Sequence, residues 1–538
     1  MRLAQRGIGA VLVGGALLLT AQPALAAPAG NAATAPDAAA APAGEALAAG
    51  AARIGWAPCE EDRTVECGTL KVPVDWAKPR GATFGLAVAR RKATEDSSRI
   101  GALLINPGGP GGSGVDFALG ADQYFSPEIR KKFDIVGFDP RGIARSHPVV
   151  CSADVFATVP TNLLASQADY DRLVAFNRAL GADCRKRTGP LFDHVDTLSV
   201  VKDIDAIRVA LGEQKINYYG ISYGTLIGQQ YAEQFPKNFR ALVIDSNMDH
   251  SLGSKRFFET ETVTAEENFG EYARWCARDA ACPFHREGAG RVWDELVAKA
   301  DRGELHIPGE PTQKVTAFDL SSTALGAFYG PNWKGLASWL NELRTGKPAP
   351  AATRNLAPVA QHYGTRAADP ELVEYAIPVF CQDWRIQIRD YPHAARLWAD
   401  ARRTAPHMRM SPIAWSVGSA CVGFPTSVNN PPHKLRVKGA APILMLNARF
   451  DPATGYNWAA NAAKQLGKAA TLVTYDGWGH GVYGRGACPT GITDRYLVKL
   501  TMPAAGTHCP AIPPSDTVGA KRSAPTTPGA PLPWSARS

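Results

Sequence analysis

Short apolar segments recur along the chain at 69–76, 83–91, 101–106, 134–139, 216–221, 241–245, 443–447 and 471–475, separated by turn chemistry and helical stretches. The later ones are continuous apolar runs, the pattern of strands buried on both faces. Strands alternating with helices predict an α/β fold built on a mostly parallel, eight-stranded sheet. One intervening helix is written plainly: Val200, Ile204, Ile207 and Leu211 recur at i, i+4, i+7 and i+11, with Thr197 placed to cap the start and Gly212 to end it. Between the sixth and seventh strand candidates lies a long interval rich in helix-forming stretches, Trp and Pro, with four cysteines. It predicts a large, mainly helical cap at 251–435, inserted after strand six between core portions at 53–250 and 436–510. No internal repeat is present.

The two ends of the chain have a different composition. Arg2 and Arg6, the apolar run from Ile8 to Leu19, and Ala24-Leu25-Ala26 give residues 1–26 the form of an export signal with a small-residue cleavage site. Residues 27–52 are almost entirely Ala, Pro and Gly, and 511–538 are rich in Pro, Ser, Thr and Ala; these read as disordered flanks or a processed pro-segment. The apolar run falls short of the ~20 residues that span a bilayer, and no later segment reaches that length, so stable membrane insertion is not expected. The expected location is extracellular.

Ten cysteines fit that destination: Cys59, Cys67, Cys151, Cys184, Cys276, Cys282, Cys381, Cys421, Cys488 and Cys509. An even number without a CxxC pair points to disulfides. About 945 pairings are open to ten cysteines, and neighbour pairing along the chain is the expectation. Clustered Cys/His at ligand spacing and HExxH are both missing from the sequence, so no metal is expected. The 58 basic and 50 acidic residues give a net charge of +8 without basic runs, which argues against a nucleic-acid partner. Nothing in the sequence sets an oligomeric state.

Gly220-Ile221-Ser222-Tyr223-Gly224 matches GxSxG, and it lies between the strand at 216–221 and a helical run at 225–235. Strand, sharp turn and helix are what a nucleophile elbow needs to hold a serine out at a sheet edge. The bland alternative has Ser222 merely capping the helix. A serine hydroxyl is a poor nucleophile until a histidine takes its proton and a carboxylate orients that histidine. Asp451 follows the seventh strand candidate and His480 the eighth, in the Ser…Asp…His order of the α/β-hydrolase fold. Asp476, four residues before the histidine, is the rival acid; His147, His194, His250 and His285 have no such post-strand placement and read as structural.

The glycine-rich stretch Asn106-Pro107-Gly108-Gly109-Pro110-Gly111-Gly112-Ser113-Gly114 follows the third strand, where oxyanion donors are expected. The N–H groups of Gly109 and Tyr223 are the expected donors. The same stretch satisfies GxGxxG through Gly109, Gly111 and Gly114, with Asp139 at the end of the next strand, which alone would suggest a dinucleotide site. That reading leaves Ser222, Asp451 and His480 without a role, and no cofactor is implied.

From Cys67 to Cys509 the chain resembles secreted tripeptidyl aminopeptidases, relatives of proline iminopeptidases among the α/β-hydrolases. Cys67-Gly68-Thr69-Leu70-Lys71-Val72-Pro73-Val74-Asp75-Trp76 is similar to the family's opening strand, and Asn106 to Gly114 to its oxyanion loop. Asp139-Pro140-Arg141-Gly142-Ile143-Ala144-Arg145-Ser146 resembles its DxRGxGxS signature, with Ala144 in place of the second glycine. The resemblance implies Ser222, Asp451 and His480 as the triad, and release of short peptides, tripeptides foremost, from substrates with a free N-terminus. Such a substrate presents an ammonium group that a carboxylate would bind. Candidates crowd the start of the cap: Glu259, Glu261, Glu266, Glu267 and Glu271, most of which also suit a solvated helix face. The alternative function is a secreted esterase or lipase with the same triad. A non-catalytic binding protein is the third reading; epoxide-hydrolase or dehalogenase chemistry is disfavoured by serine, not aspartate, at the elbow.

Overall fold

Ten strands make the main sheet of the computed structural model, which describes residues 53–347, 364–367 and 369–514. In chain order they are β1 (Ala57–Pro58), β2 (Glu66–Pro73), β3 (Thr83–Arg91), β4 (Gly101–Asn106), β5 (Phe133–Phe138), β6 (Ile216–Ile221), β7 (Phe239–Asp245), β8 (Ile443–Phe450), β9 (Ala470–Trp478) and β10 (His508–Cys509). Their spatial order is β1-β2-β3-β5-β4-β6-β7-β8-β9-β10. The first four in that order pair antiparallel and all later neighbours pair parallel. All eight expected strands are present; the two additions are two-residue edge strands, short as exposed edges need to be. The expected signal (1–26), the linker (27–52) and residues 515–538 of the expected tail lie outside the described residues.

The apolar runs explain the burial. Every residue of β4 and β5 is buried, and alternate residues go to opposite faces. Leu104, Val136, Tyr218, Leu242 and Met445 join the core on one side of the sheet. Leu103, Ile135, Tyr219, Val243 and Leu444 join the core on the other. The helix Thr197–Ala210 covers the first face, but its N-cap is Asp196, whose side chain accepts from Ser199 N. Thr197 was the expected cap; its hydroxyl is instead engaged by Asp383 at 2.6 Å. Gly212 follows the helix with φ of 72°, a left-handed conformation that only glycine adopts without strain.

Arg141, from the DxRG stretch, is fully buried and forks onto Asp203 with two 2.7 Å bonds. Its remaining donors reach the carbonyls of Pro73, Val74 and His194. Removing one partner would leave a buried charge unpaired, a loss of roughly 3–5 kcal/mol.

Between β7 and β8 the chain forms a mainly helical insertion in two parts. The helices Ser254–Arg278, Ala289–Asp301, Ala317–Tyr329 and Trp333–Thr345 share an apolar core of their own, including Phe269, Trp293, Leu325 and Trp333. The return helices Ile377–Asp383, Tyr391–Thr404 and Pro412–Cys421 instead extend the core on the first sheet face through Phe380, Trp384 and Trp415. Within the insertion, Leu372–Tyr375 pairs with Val150–Ser152, which precedes β6. The cysteines pair with their neighbours: Cys59–Cys67, Cys151–Cys184, Cys276–Cys282, Cys381–Cys421 and Cys488–Cys509. The first and last hold the two sheet edges, and Cys381–Cys421 joins two return helices. Among the described residues no helix is long and apolar enough to cross a membrane.

Candidate active site

The loops of interest leave the C-terminal ends of neighbouring parallel strands. Register aligns Asn106 with Gly220, Ile221 with Asp245, and Asp245 with Leu446. The chain turns outward in opposite directions from β4 and β6, and the crevice at such a switch point is where α/β sheets bind ligands.

Ser222 stands between β6 and the helix Tyr223–Gln234 with φ 57° and ψ −124°. A non-glycine residue held there stores strain of about 1–3 kcal/mol. Its side chain makes no capping hydrogen bond, so the helix-cap alternative does not account for it. Both flanking glycines are required by close approach: a Cβ on Gly220 would fall on Gly224 O, and one on Gly224 would lie 2.8 Å from Asn106 O. Ser222 N bonds to Asp245 O at 3.0 Å, tying the turn to the adjacent strand.

His480 and Asp451 are buried and joined. His480 Nδ1 lies 2.9 Å from Asp451 Oδ1 and 3.1 Å from Oδ2. The carboxylate also accepts from Ala453 N and Thr454 N, both at 2.9 Å. Burial would raise the Asp451 pKa, but the His480 charge and hydrogen bond reverse that and hold it below the usual carboxylate range. The rival acid, Asp476, instead faces His508 at 2.7 Å, on the surface.

The histidine loop rests on β7. Gly481 N donates to Ser246 Oγ at 2.7 Å, and Val482 N and Tyr483 N donate to the Asp245 carboxylate at 2.8 Å. Burial pushes the Asp245 carboxyl up despite these bonds. From the cap, Tyr329 O accepts from His480 N at 2.9 Å, and the Tyr329 ring meets the imidazole edge-on at 5.0 Å. Ile221 lies 3.9 Å from where a Cβ on Gly481 would stand, which sets this loop against the elbow. Among the described residues no hydrogen bond joins Ser222 Oγ to His480; their connection runs through Asp245 and Ser246. Serine–histidine contacts in unliganded sites are commonly loose and tighten around substrate.

The loop 106–114 covers the elbow. A Cβ on Gly108 would lie 2.8 Å from Tyr223 N and 2.9 Å from Ser222 Cβ. Gly108 N is taken by Asn106 Oδ1 and Gly112 N by Gly108 O. The N–H groups of Gly109 and Tyr223 donate to no acceptor among the described residues, and Tyr223 opens its helix, where intrahelical acceptors are lacking. The rival dinucleotide reading loses its acid: Asp139 is spent on Ser113 Oγ, Val115 N and Arg145 N.

The five glutamates of the helix Ser254–Arg278 separate by environment. Glu259 pairs with Lys255 and Arg256 on a solvated face. Glu266 is taken by His407 at 2.7 Å and by Met408 N. Glu261 is buried against Ser411 Oγ at 2.9 Å, and burial, with the Asp451 charge, pushes its carboxyl well up. Glu271 accepts from Trp478 Nε1 at 2.9 Å and pairs with Arg274. Glu267 is exposed, yet partial desolvation by its surroundings raises its pKa against the pull of Arg449, two residues before Asp451. The positioning roles of Asp245, Ser246 and Tyr329 escaped sequence reasoning, since no motif marks them and they act across the sheet or from the cap.

A sheet of this order, with an elbow serine on its fifth core strand and a buried Asp–His pair beyond the last two, defines a hydrolase of the α/β-hydrolase fold. Residues 101–296 match the family described as alpha/beta hydrolase fold, and residues 409–509 the family described as TAP-like protein. The chain belongs to the TAP-like α/β-hydrolases and is a serine hydrolase. Serine protease Hip1 of Mycobacterium tuberculosis is 31% identical over 85% of this chain and 91% of that protein. Tripeptidyl aminopeptidase of Streptomyces lividans is 29% identical over 85% of this chain and 87% of that protein. Carboxylesterase B of Mycobacterium tuberculosis is 32% identical over 84% and 88% respectively.

Proposed function

We propose that the protein is an exported serine exopeptidase that releases short peptides, tripeptides foremost, from free N-termini. The observation that carries the reading is the buried Asp451–His480 pair, seated against the strand that neighbours the Ser222 elbow. In this reading Ser222 Oγ attacks the scissile carbonyl as His480 Nε2 takes its proton, and Asp451 steadies the imidazolium. The N–H groups of Gly109 and Tyr223 receive the developing oxyanion. His480 returns the proton to the leaving amine, and water, deprotonated by the same imidazole, then releases the acyl group.

The amine anchor is assigned to Glu267. Glu259 and Glu266 have partners outside the site, and Glu261 is enclosed against Ser411, where burial pushes its carboxyl well up. Glu267 is exposed and without an ion-pair partner of its own among the described residues, on the turn before Glu271, which bonds Trp478 at the end of β9. A substrate ammonium beside it would offset the partial desolvation that raises its pKa. The five disulfides and the signal-like residues 1–26 support export.

The similarity to a carboxylesterase favours one rival, an esterase using the same residues. Turnover of a tripeptide anilide with a free amine, its N-acetyl derivative and a simple ester separates the two. Strong cleavage of the free form alone is expected; equal cleavage of the acetylated form together with fast ester turnover would replace the peptidase reading. Ser222→Ala is expected to abolish turnover in a folded protein.

A further inference from the structure

Tyr223 has a side chain that the acyl-transfer chemistry does not use. It is buried between Phe380 and Trp384, with ring centroids 6.4 and 6.3 Å away. Packing alone would be met by phenylalanine, yet the hydroxyl donates to Asp383 Oδ2 at 2.5 Å. Asp383 ends the cap helix Ile377–Asp383, two residues after the disulfide-bonded Cys381. Its carboxylate gathers three further donors: Thr197 N at 2.9 Å, Thr197 Oγ1 at 2.6 Å and Asn430 Nδ2 at 2.8 Å. Its backbone carbonyl accepts from His250 Nε2 at 2.6 Å. One cap residue therefore ties together the first residue of the elbow helix, the first residue of the helix Thr197–Ala210, and the segment that returns to the sheet.

An oxyanion donor works only if its N–H is aimed where the charge develops, within a few tenths of an ångström. Ser222 is held in a strained conformation that persists only when its surroundings over-determine it. A tether on the next residue supplies such a constraint, because the Tyr223 side chain and its N–H leave the same Cα. We propose that Asp383 is a positioning residue of the acyl-transfer site: by holding the Tyr223 hydroxyl it aims the Tyr223 N–H at the developing oxyanion, so that the cap completes a site otherwise built on the sheet. The inference rests on the peptidase reading above.

The test compares Tyr223→Phe with wild type in the full chain, using a free-amine tripeptide anilide, a tripeptide aldehyde and the product tripeptide. The aldehyde forms a hemiacetal oxyanion that needs the donor; the product does not. Expected is a kcat lower by about tenfold with KM changed by less than about twofold. Aldehyde affinity should fall by the same factor as kcat while product inhibition stays constant. Asp383→Ala should act in the same direction, and Asp383→Asn should retain more turnover, since the amide can keep an acceptor toward Thr197 N and turn its NH2 toward the phenol. If Asp383→Ala does not fold, Tyr223→Phe decides alone. A folded Tyr223→Phe with wild-type kcat and aldehyde affinity overturns the inference, as does a rise in KM at constant kcat. Ser222→Ala separates the two levels: its inactivity beside a fully active Tyr223→Phe sinks only this inference, whereas its full activity sinks the peptidase reading.

Discussion

The elbow around Ser222 and the loop around His480 sit side by side but are held in different ways. The elbow is specified locally: β6 runs straight into the turn, Gly220 and Gly224 admit backbone contact, and Thr225 Oγ1 closes onto Ser222 O at 2.6 Å. The histidine loop closes on itself through Arg485, which donates to the carbonyls of His480, Gly481 and Val482, but it also leans on distant segments. Its backbone is fixed by Asp245 and Ser246 from β7, by Phe450 O from β8 and by Tyr329 from the cap. A strained serine turn can thus be written into five consecutive residues, while the placing of the His480 imidazole depends also on contacts contributed by distant segments.

His480→Ala gives the largest expected effect, on the order of a 10⁴-fold or greater loss of turnover with little change in melting temperature; substantial residual activity would detach the loop from the chemistry. Asp245→Ala removes the acceptor of Val482 N and Tyr483 N, and a stability loss of about 3 kcal/mol in denaturant unfolding should accompany a roughly tenfold drop in kcat. Wild-type turnover in that variant would show that the loop holds itself. Gly224→Ala tests the other side. A Cβ there lies 2.8 Å from both Asn106 O and its side-chain oxygen, so about 1–3 kcal/mol of stability should be lost along with activity; tolerance of the alanine would mean the elbow is less tightly specified than its contacts indicate.

Glu267→Gln carries the comparison to the substrate. KM for a free-amine tripeptide anilide should rise about tenfold, with ester turnover unchanged; equal effects on both substrates would remove Glu267 as the amine anchor. The last test leaves activity aside and concerns the dependence of stability on pH. Burial and the neighbouring Asp196 charge push Asp383 up to about 7, against the hydrogen bonds of Thr197 and Tyr223. Between the ordinary aspartate value of about 3.9 and that point the folded chain keeps a proton the unfolded chain has lost, so stability falls as pH rises, by at most about 1.4 kcal/mol per unit. Above 7 this contribution levels off. Chemical unfolding of Asp383→Asn across pH 4 to 8 should show a flatter profile than wild type, and parallel profiles would contradict the assignment.

The sheet was legible because its strands are apolar runs whose burial is a property of composition: 83–91, 101–106 and 216–221 have the expected bounds, while 69–76 is displaced to Glu66–Pro73. Neighbour pairing of the cysteines also matched the chain order. The start of the helix Thr197–Ala210 was misplaced by one residue, because Asp196 and Thr197 can each cap a helix and a carboxylate on the distant Asp383 claims the threonine.

The sequence by itself determined where strands, the serine turn and the post-strand positions of Asp451 and His480 would fall, since local hydrophobic period and turn chemistry act over a few residues. Which glutamate is enclosed, which is paired and which stays exposed within the field of Arg449 was decided only when the cap helix packed in the folded chain. So were the partners of His480 and Tyr223, because hydrogen-bond geometry and desolvation depend on atoms hundreds of residues apart in the chain and ångströms apart in space.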